Sequence, residues 1–141
     1  MIRRSTDELK ALAEAGARDF ADASADEVAR WAAATFPGTL AVACSMADAV
    51  LPHLVAAHQP GVDVLFLETG YHFPETLETR QLVADSMAVR IVDVLPDLTV
   101  AEQDTAYGPR LHDREPARCC DLRKVQPLAR ALTAYEAWVT G

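Results

Sequence analysis

Four short apolar runs, separated by stretches of helical pattern, constrain this chain more than any other feature. Thr39-Leu-Ala-Val-Ala-Cys44, Val62-Asp-Val-Leu-Phe-Leu67, Val89-Arg-Ile-Val-Asp-Val-Leu95 and Ala137-Trp-Val-Thr140 are of strand length and almost continuously apolar. A strand apolar on both faces must be covered on both, and strands that alternate with helices achieve this through parallel crossovers. The expected fold class is therefore α/β, a mostly parallel sheet sandwiched by helices. Between the runs, helical spacing covers Ala47 to His58, Pro74 (at an N1 position) to Met87, Thr99 to Ala106, and a stretch headed by Cys119 and Cys120. Ahead of the first strand lie two more helices. Thr6-Asp7-Glu8 opens one, and the capping-box pattern Ser24-Ala-Asp-Glu27 opens the other, which Pro37-Gly38 stops. The expectation is one domain over residues 1–141, with a helical segment at about 5–36 and an α/β core at about 38–141.

The charge balance narrows the function. With 21 Asp+Glu against 13 Lys+Arg the formal charge is -8, which disfavours non-specific binding to nucleic acid or anionic lipid but leaves room for a local anion pocket. No stretch approaches the ~20 apolar residues of a membrane span. The first residues carry a basic tip and then acids, not an export signal. Together with an odd count of cysteines, 3, this points to a reducing, cytoplasmic setting.

Three stretches carry chemistry. Cys44-Ser45-Met46-Ala47-Asp48 joins the first strand to its helix, where backbone N–H groups and a Ser hydroxyl suit phosphate or sulfate; an ordinary turn with Ser45 as N-cap reads equally well. It lacks the glycines and lysine of a Walker A loop. Leu67-Glu-Thr-Gly70-Tyr-His72-Phe-Pro-Glu-Thr76 leaves the second strand at its carboxyl end, where open α/β sheets bind ligands. Leu67 and Thr69 are candidate contacts there, Gly70 permits a sharp turn or a close approach, and His72 reads as structural or solvated. In Arg118-Cys119-Cys120-Asp-Leu-Arg123-Lys124, adjacent cysteines disfavour a disulfide and suit a soft metal. A helix starting near Cys120 sets Arg123 one turn from Cys119 and Lys124 one turn from Cys120, with Leu122, Val125, Leu128, Ala129 and Leu132 as its buried stripe. Two incidental core cysteines beside a solvated basic face would give the same spacing.

In combination and in this order, the stretches resemble the sulfonucleotide reductases, and among them the bacterial adenosine 5′-phosphosulfate (APS) reductases of assimilatory sulfate reduction. Ser45-Met-Ala-Asp48 falls at that family's modified pyrophosphatase-type (PP-loop) segment. Leu67-Glu-Thr-Gly70 with Phe73-Pro-Glu-Thr76, Arg118-Cys-Cys-Asp-Leu-Arg-Lys-Val-Gln-Pro-Leu128 and Trp138-Val-Thr-Gly141 match its other motifs. The resemblance covers roughly residues 30 to 141 and implies an adenine-nucleotide α-hydrolase-like fold. It implies that Cys119 and Cys120 are two of the four ligands of a 4Fe–4S cluster, with Arg123 and Lys124 around it. Lys124 would stand between the cluster and the substrate's sulfate-phosphate group. Ser45 and Met46 would hold phosphate or sulfate, and Leu67, Thr69, Gly70 and Gly141 the nucleoside. The implied reaction turns APS into AMP and an S-sulfocysteine on a tail cysteine, from which thioredoxin releases sulfite. No cysteine follows Cys120, so the chain alone is expected to be inactive, its fold cut short after the fourth strand as in a truncated or proteolysed chain or an incomplete gene reading. The alternative is a non-catalytic AMP- or APS-binding module, or a homo-oligomer in which two chains bridge one cluster. An ATP pyrophosphatase is a third reading, disfavoured by the altered loop.

Overall fold

The computed structural model describes residues 3–141. Its strands β1 (Leu40–Ala43), β2 (Val62–Leu67), β3 (Val89–Val94) and β4 (Ala137–Val139) form one parallel sheet in the order β3-β2-β1-β4. The helices are α1 (Thr6–Asp19), α2 (Ala25–Thr35), α3 (Val50–Ala56), α4 (Pro74–Ser86), α5 (Val100–Tyr107), α6 (Leu111–Arg114), α7 (Pro116–Cys120) and α8 (Gln126–Leu132), with a π-helical turn, Asp121–Val125, between the last two. The α/β expectation holds, strand by strand to within a residue or two.

Strand periodicity explains the layers. Leu40, Val42, Val62, Val64 and Phe66 project to one side of the sheet, against Ala29, Ala32 and Phe36 of the α2 region and Val55 of α3. The intervening Ala41 and Leu65 project to the other, with Val94 and the partly buried Leu128, Ala131, Leu132 and Tyr135. Both faces are covered, as near-continuous apolar strands require. Ser5, Ser24 and Thr99 each close a capping box with a glutamate three residues on. Among the described residues no helix is long and apolar enough to cross a membrane.

Two helices depart from expectation. α3 begins at Val50, three residues after Ala47, because the Asp48 carboxylate takes the Val50 N–H (3.0 Å) and keeps the preceding loop out of the helix. The cysteine-bearing helix begins at Pro116, not near Cys120, and widens into the π turn directly after the cysteines. The cause is Pro127: it has no N–H for the carbonyl of residue 123, and its ring would crowd that carbonyl in an α-helix. Gln126 N–H instead reaches Asp121 O. The widened turn also rotates the stripe: Cys119, Arg123 and Pro127 are buried, whereas Val125 (55% exposed) and Ala129 face outward.

Ion pairs tie the sheet to its flanks. Glu136, just before β4, accepts from the backbone N–H of Arg4 (2.7 Å), the Arg4 guanidinium (2.8 Å) and the Thr39 hydroxyl (2.9 Å). Asp63 of β2 accepts two bonds from Arg90 of β3 (both 2.6 Å) and one from Tyr135 Oη (2.7 Å). The Arg90 guanidinium above all, with the Tyr135 hydroxyl, holds the Asp63 carboxyl below its ordinary value, while burial and Asp63 push the Tyr135 phenol up to about 12. A carboxylate whose folded value is lowered stabilises the fold above its unfolded value and loses that contribution as pH falls through the folded one. Urea midpoints should therefore decline between about pH 5 and pH 2, and Asp63→Asn should flatten that decline relative to wild type; an identical acid profile would contradict the assignment.

Candidate functional site: two adjoining cavities at the carboxyl edge of the sheet

Strand order locates the site. From β1 the chain steps to β2 and β3 on one side, then crosses to place β4 on the other side of β1. The carboxyl ends of β1 and β4 therefore flank a topological switch point, where open α/β sheets form a ligand crevice. A cavity of roughly 340 Å³ lies there, lined by Cys44 and Ser45 after β1, Leu67 and Thr69 after β2, Lys124, and Trp138 and Gly141 of the β4 segment.

The loop after β1 is shaped from within. Met46 has φ 60 and is 1% exposed, so its left-handed backbone turns the side chain into the core rather than toward the crevice. Cys44 Sγ accepts from Met46 N–H (3.4 Å) and lies 3.6 Å from Asp48 O, and burial pushes its thiol up, which keeps it protonated as that second bond requires. Ser45 stands exposed at the crevice, its hydroxyl accepting only from Ala47 N–H (3.4 Å) among the described residues. After β2, His72 stacks on Phe66 (centroids 4.7 Å apart) and donates from Nε2 to Leu67 O (2.7 Å), a structural role that fixes its tautomer. That bond occupies one acceptor direction of the Leu67 carbonyl expected to meet the nucleoside.

A second cavity, roughly 490 Å³, adjoins the first. Thr69, Tyr71, His72, His112, Cys119, Cys120, Arg123 and Lys124 line it. Cys119 is buried and Cys120 exposed, both as free thiols on the same turn of α7. Arg123 is 4% exposed. Its Nε donates to Thr69 O (2.5 Å), and its Nη1 to Leu98 O and Gln103 Oε1 (both 3.0 Å). Among the described residues no carboxylate pairs with Arg123 or Lys124.

Of the residues singled out from the sequence, Ser45, Leu67, Thr69, Lys124 and Gly141 meet in the first cavity, and Cys119, Cys120, Arg123 and Lys124 in the second. Lys124, Thr69 and His72 line both, so Lys124 stands at the wall between thiols and crevice. Two do not join them. Met46 is buried and does not line the crevice, and Gly70 lines a separate groove with Leu98 and Val100. Gly70 is needed for another reason: at φ 81 a Cβ would sit 2.8 Å from Val100 Cγ2. Sequence reasoning missed Tyr71, His112 and Gln103 as neighbours of the cysteines. Cys44 lines the first cavity and not the thiol cavity, and no group of three or more His, Cys, Asp or Glu gathers for a metal among the described residues.

These features define a class: an open parallel α/β protein with a thiol-bearing, cationic cleft at the carboxyl edge of its sheet. The phosphoadenosine phosphosulfate reductase domain family matches residues 39–141, and the chain belongs to that family. It is similar to the adenosine 5′-phosphosulfate reductase of Streptomyces coelicolor, 56% identical over 138 residues, covering 98% of this chain and 58% of that protein. The Mycolicibacterium smegmatis protein of the same name is 54% identical over 134 residues, covering 95% and 57%. The crystal structure of phosphoadenylyl-sulfate (PAPS) reductase from Candida auris, a phosphate complex, matches with a TM-score of 0.71 at 25% identity, over 99% of this chain and 68% of that one. The chain thus spans a little under three fifths of the two bacterial relatives' length.

Removing the guanidinium would leave Thr69 O, Leu98 O and Gln103 Oε1 without their donor. Arg123→Met should therefore cost about 3 kcal/mol in urea unfolding; a loss within about 0.5 kcal/mol would show that Arg123 does not hold these loops.

Proposed function

We propose that this protein is the nucleotide-binding portion of an APS reductase, the enzyme that converts APS to sulfite and AMP with thioredoxin as reductant in assimilatory sulfate reduction. The observation that carries the reading is a pair of cations beside the two thiols, Arg123 and Lys124, of which Lys124 also lines the nucleotide-sized crevice, with no carboxylate paired to either among the described residues. In a chain of formal charge -8, such a local excess of positive charge favours an anionic ligand at this one place. The names of the bacterial relatives support APS over PAPS.

Placement in the two cavities supports the roles that the resemblance implies. Ser45 and the backbone of its loop bind the phosphate or sulfate end, Leu67, Thr69 and Gly141 border the nucleoside, and Lys124 reaches the sulfate-phosphate linkage as a point charge. Lys124 stabilises the negative charge that builds on the leaving phosphate as the sulfur–oxygen bond breaks. The donor set of α7 fits one edge of a 4Fe–4S cluster: two sulfurs on one turn, one buried and one open, beside two cations. Cys119 and Cys120 would supply two of its ligands, Arg123 and Lys124 the balancing charge. When bound, such a cluster supplies a soft, polarisable charged centre beside the crevice. Free cysteines of this kind suit a reducing, cytoplasmic setting.

The test is sulfite and AMP release from APS by the native enzyme with thioredoxin. Lys124→Ala should lower kcat/KM on the order of 10²-fold with folding intact. Undiminished turnover would remove Lys124 from the substrate, and turnover of PAPS alone would move the protein to the other branch of the family.

A further inference from the structure

Gln103 of α5 is 1% exposed, and its amide is divided between two partners. Oε1 accepts from Arg123 Nη1 at 3.0 Å, and Nε2 lies 3.7 Å from Cys119 Sγ. The orientation of the amide is forced. A guanidinium is only ever a donor, so it takes the oxygen and leaves the N–H₂ to face the sulfur. Nothing in α5 itself asks for a glutamine here, since Thr99 and Glu102 already cap the helix. Burying a primary amide is costly unless both of its ends are used, and here both ends are used at the thiol site.

We propose that Gln103 is a positioning residue for the two-cysteine site. Its N–H holds Cys119 Sγ in place as a metal ligand. Its carbonyl locks Arg123, which in turn holds Thr69 O at the substrate crevice. One amide thus fixes a sulfur on α7 and a loop after β2 with respect to each other. Cys120 is exposed and receives no such bond from Gln103, so the pair is unequal: one rigid ligand and one adjustable. Hydrogen bonds to metal-bound sulfur orient the ligand and tune the metal. The inference rests on reading Cys119 and Cys120 as metal ligands.

Cadmium(II) is the probe, titrated anaerobically into the reduced protein and followed by its thiolate-to-metal absorption, with thermal melting alongside. Wild type should show the band and Cys119→Ser should lose most of it. Gln103→Met, of similar shape but without either polar end, should weaken cadmium binding about tenfold or more. Gln103→Glu keeps an oxygen for Arg123 but brings no N–H to the sulfur. It should weaken binding likewise while melting close to wild type, a split that a packing role would not produce. Wild-type affinity in either folded variant overturns the proposal. Weaker binding confined to Gln103→Met and tracking its loss of stability overturns it too, making Gln103 a packing residue. No thiolate band in wild type overturns the two-cysteine reading, and this inference with it.

Discussion

A guanidinium cannot shed its charge at any accessible pH, so burying one obliges the surrounding chain to meet it with oxygens. Arg123 is met by the carbonyls of Thr69 and Leu98 and by the side chain of Gln103, which belong to the loop after β2, the loop after β3 and helix α5. The arginine ties them together from within the π turn. With no carboxylate partner among the described residues, the same charge also raises the potential of the cavity beside it.

The remainder of the site is a division of labour between sheet and helix. The parallel sheet provides a rigid carboxyl edge whose switch point between β1 and β4 opens a crevice, and loops of small and polar residues close on it. Helix α7 and the π turn bring the thiols and both cations to the neighbouring cavity. Lys124 belongs to both spaces. A substrate whose nucleoside occupied one and whose anionic end reached the other would pass directly beside it.

The strands were legible because their apolar character on both faces admits only a two-sided α/β fold, and β2 falls where the pattern placed it. The cysteine pair and Lys124 were legible as neighbours, and they line one cavity. Arg123 was legible as a neighbour of the cysteines, but its burial was not, since basic residues on a helix ordinarily face water. The stripe over Val125 and Ala129 was misread because a period of 3.6 residues assumes an unbroken α-helix; the signal lay in Pro127, whose missing N–H forces the wider turn. Met46 and Gly70 were placed at the ligand by position in their motifs, whereas the first is turned inward by its backbone and the second is required by Val100. Gln103 gave no signal, because a glutamine in a short capped helix is unremarkable until its two neighbours are known.

The central claim is that the nucleotide lies in the crevice between the carboxyl ends of β1 and β4, with Lys124 at its anionic end. Amide chemical-shift mapping of the protein during titration with AMP tests this most directly. The account predicts saturable shifts concentrated at Ser45, Leu67, Thr69, Lys124 and Gly141, with the amides of α1 and α2 unmoved. Shifts centred on the apolar hollow that Leu9, Phe20, Val28 and Trp31 line between α1 and α2, or no saturable shifts at the sheet's carboxyl edge, would contradict it.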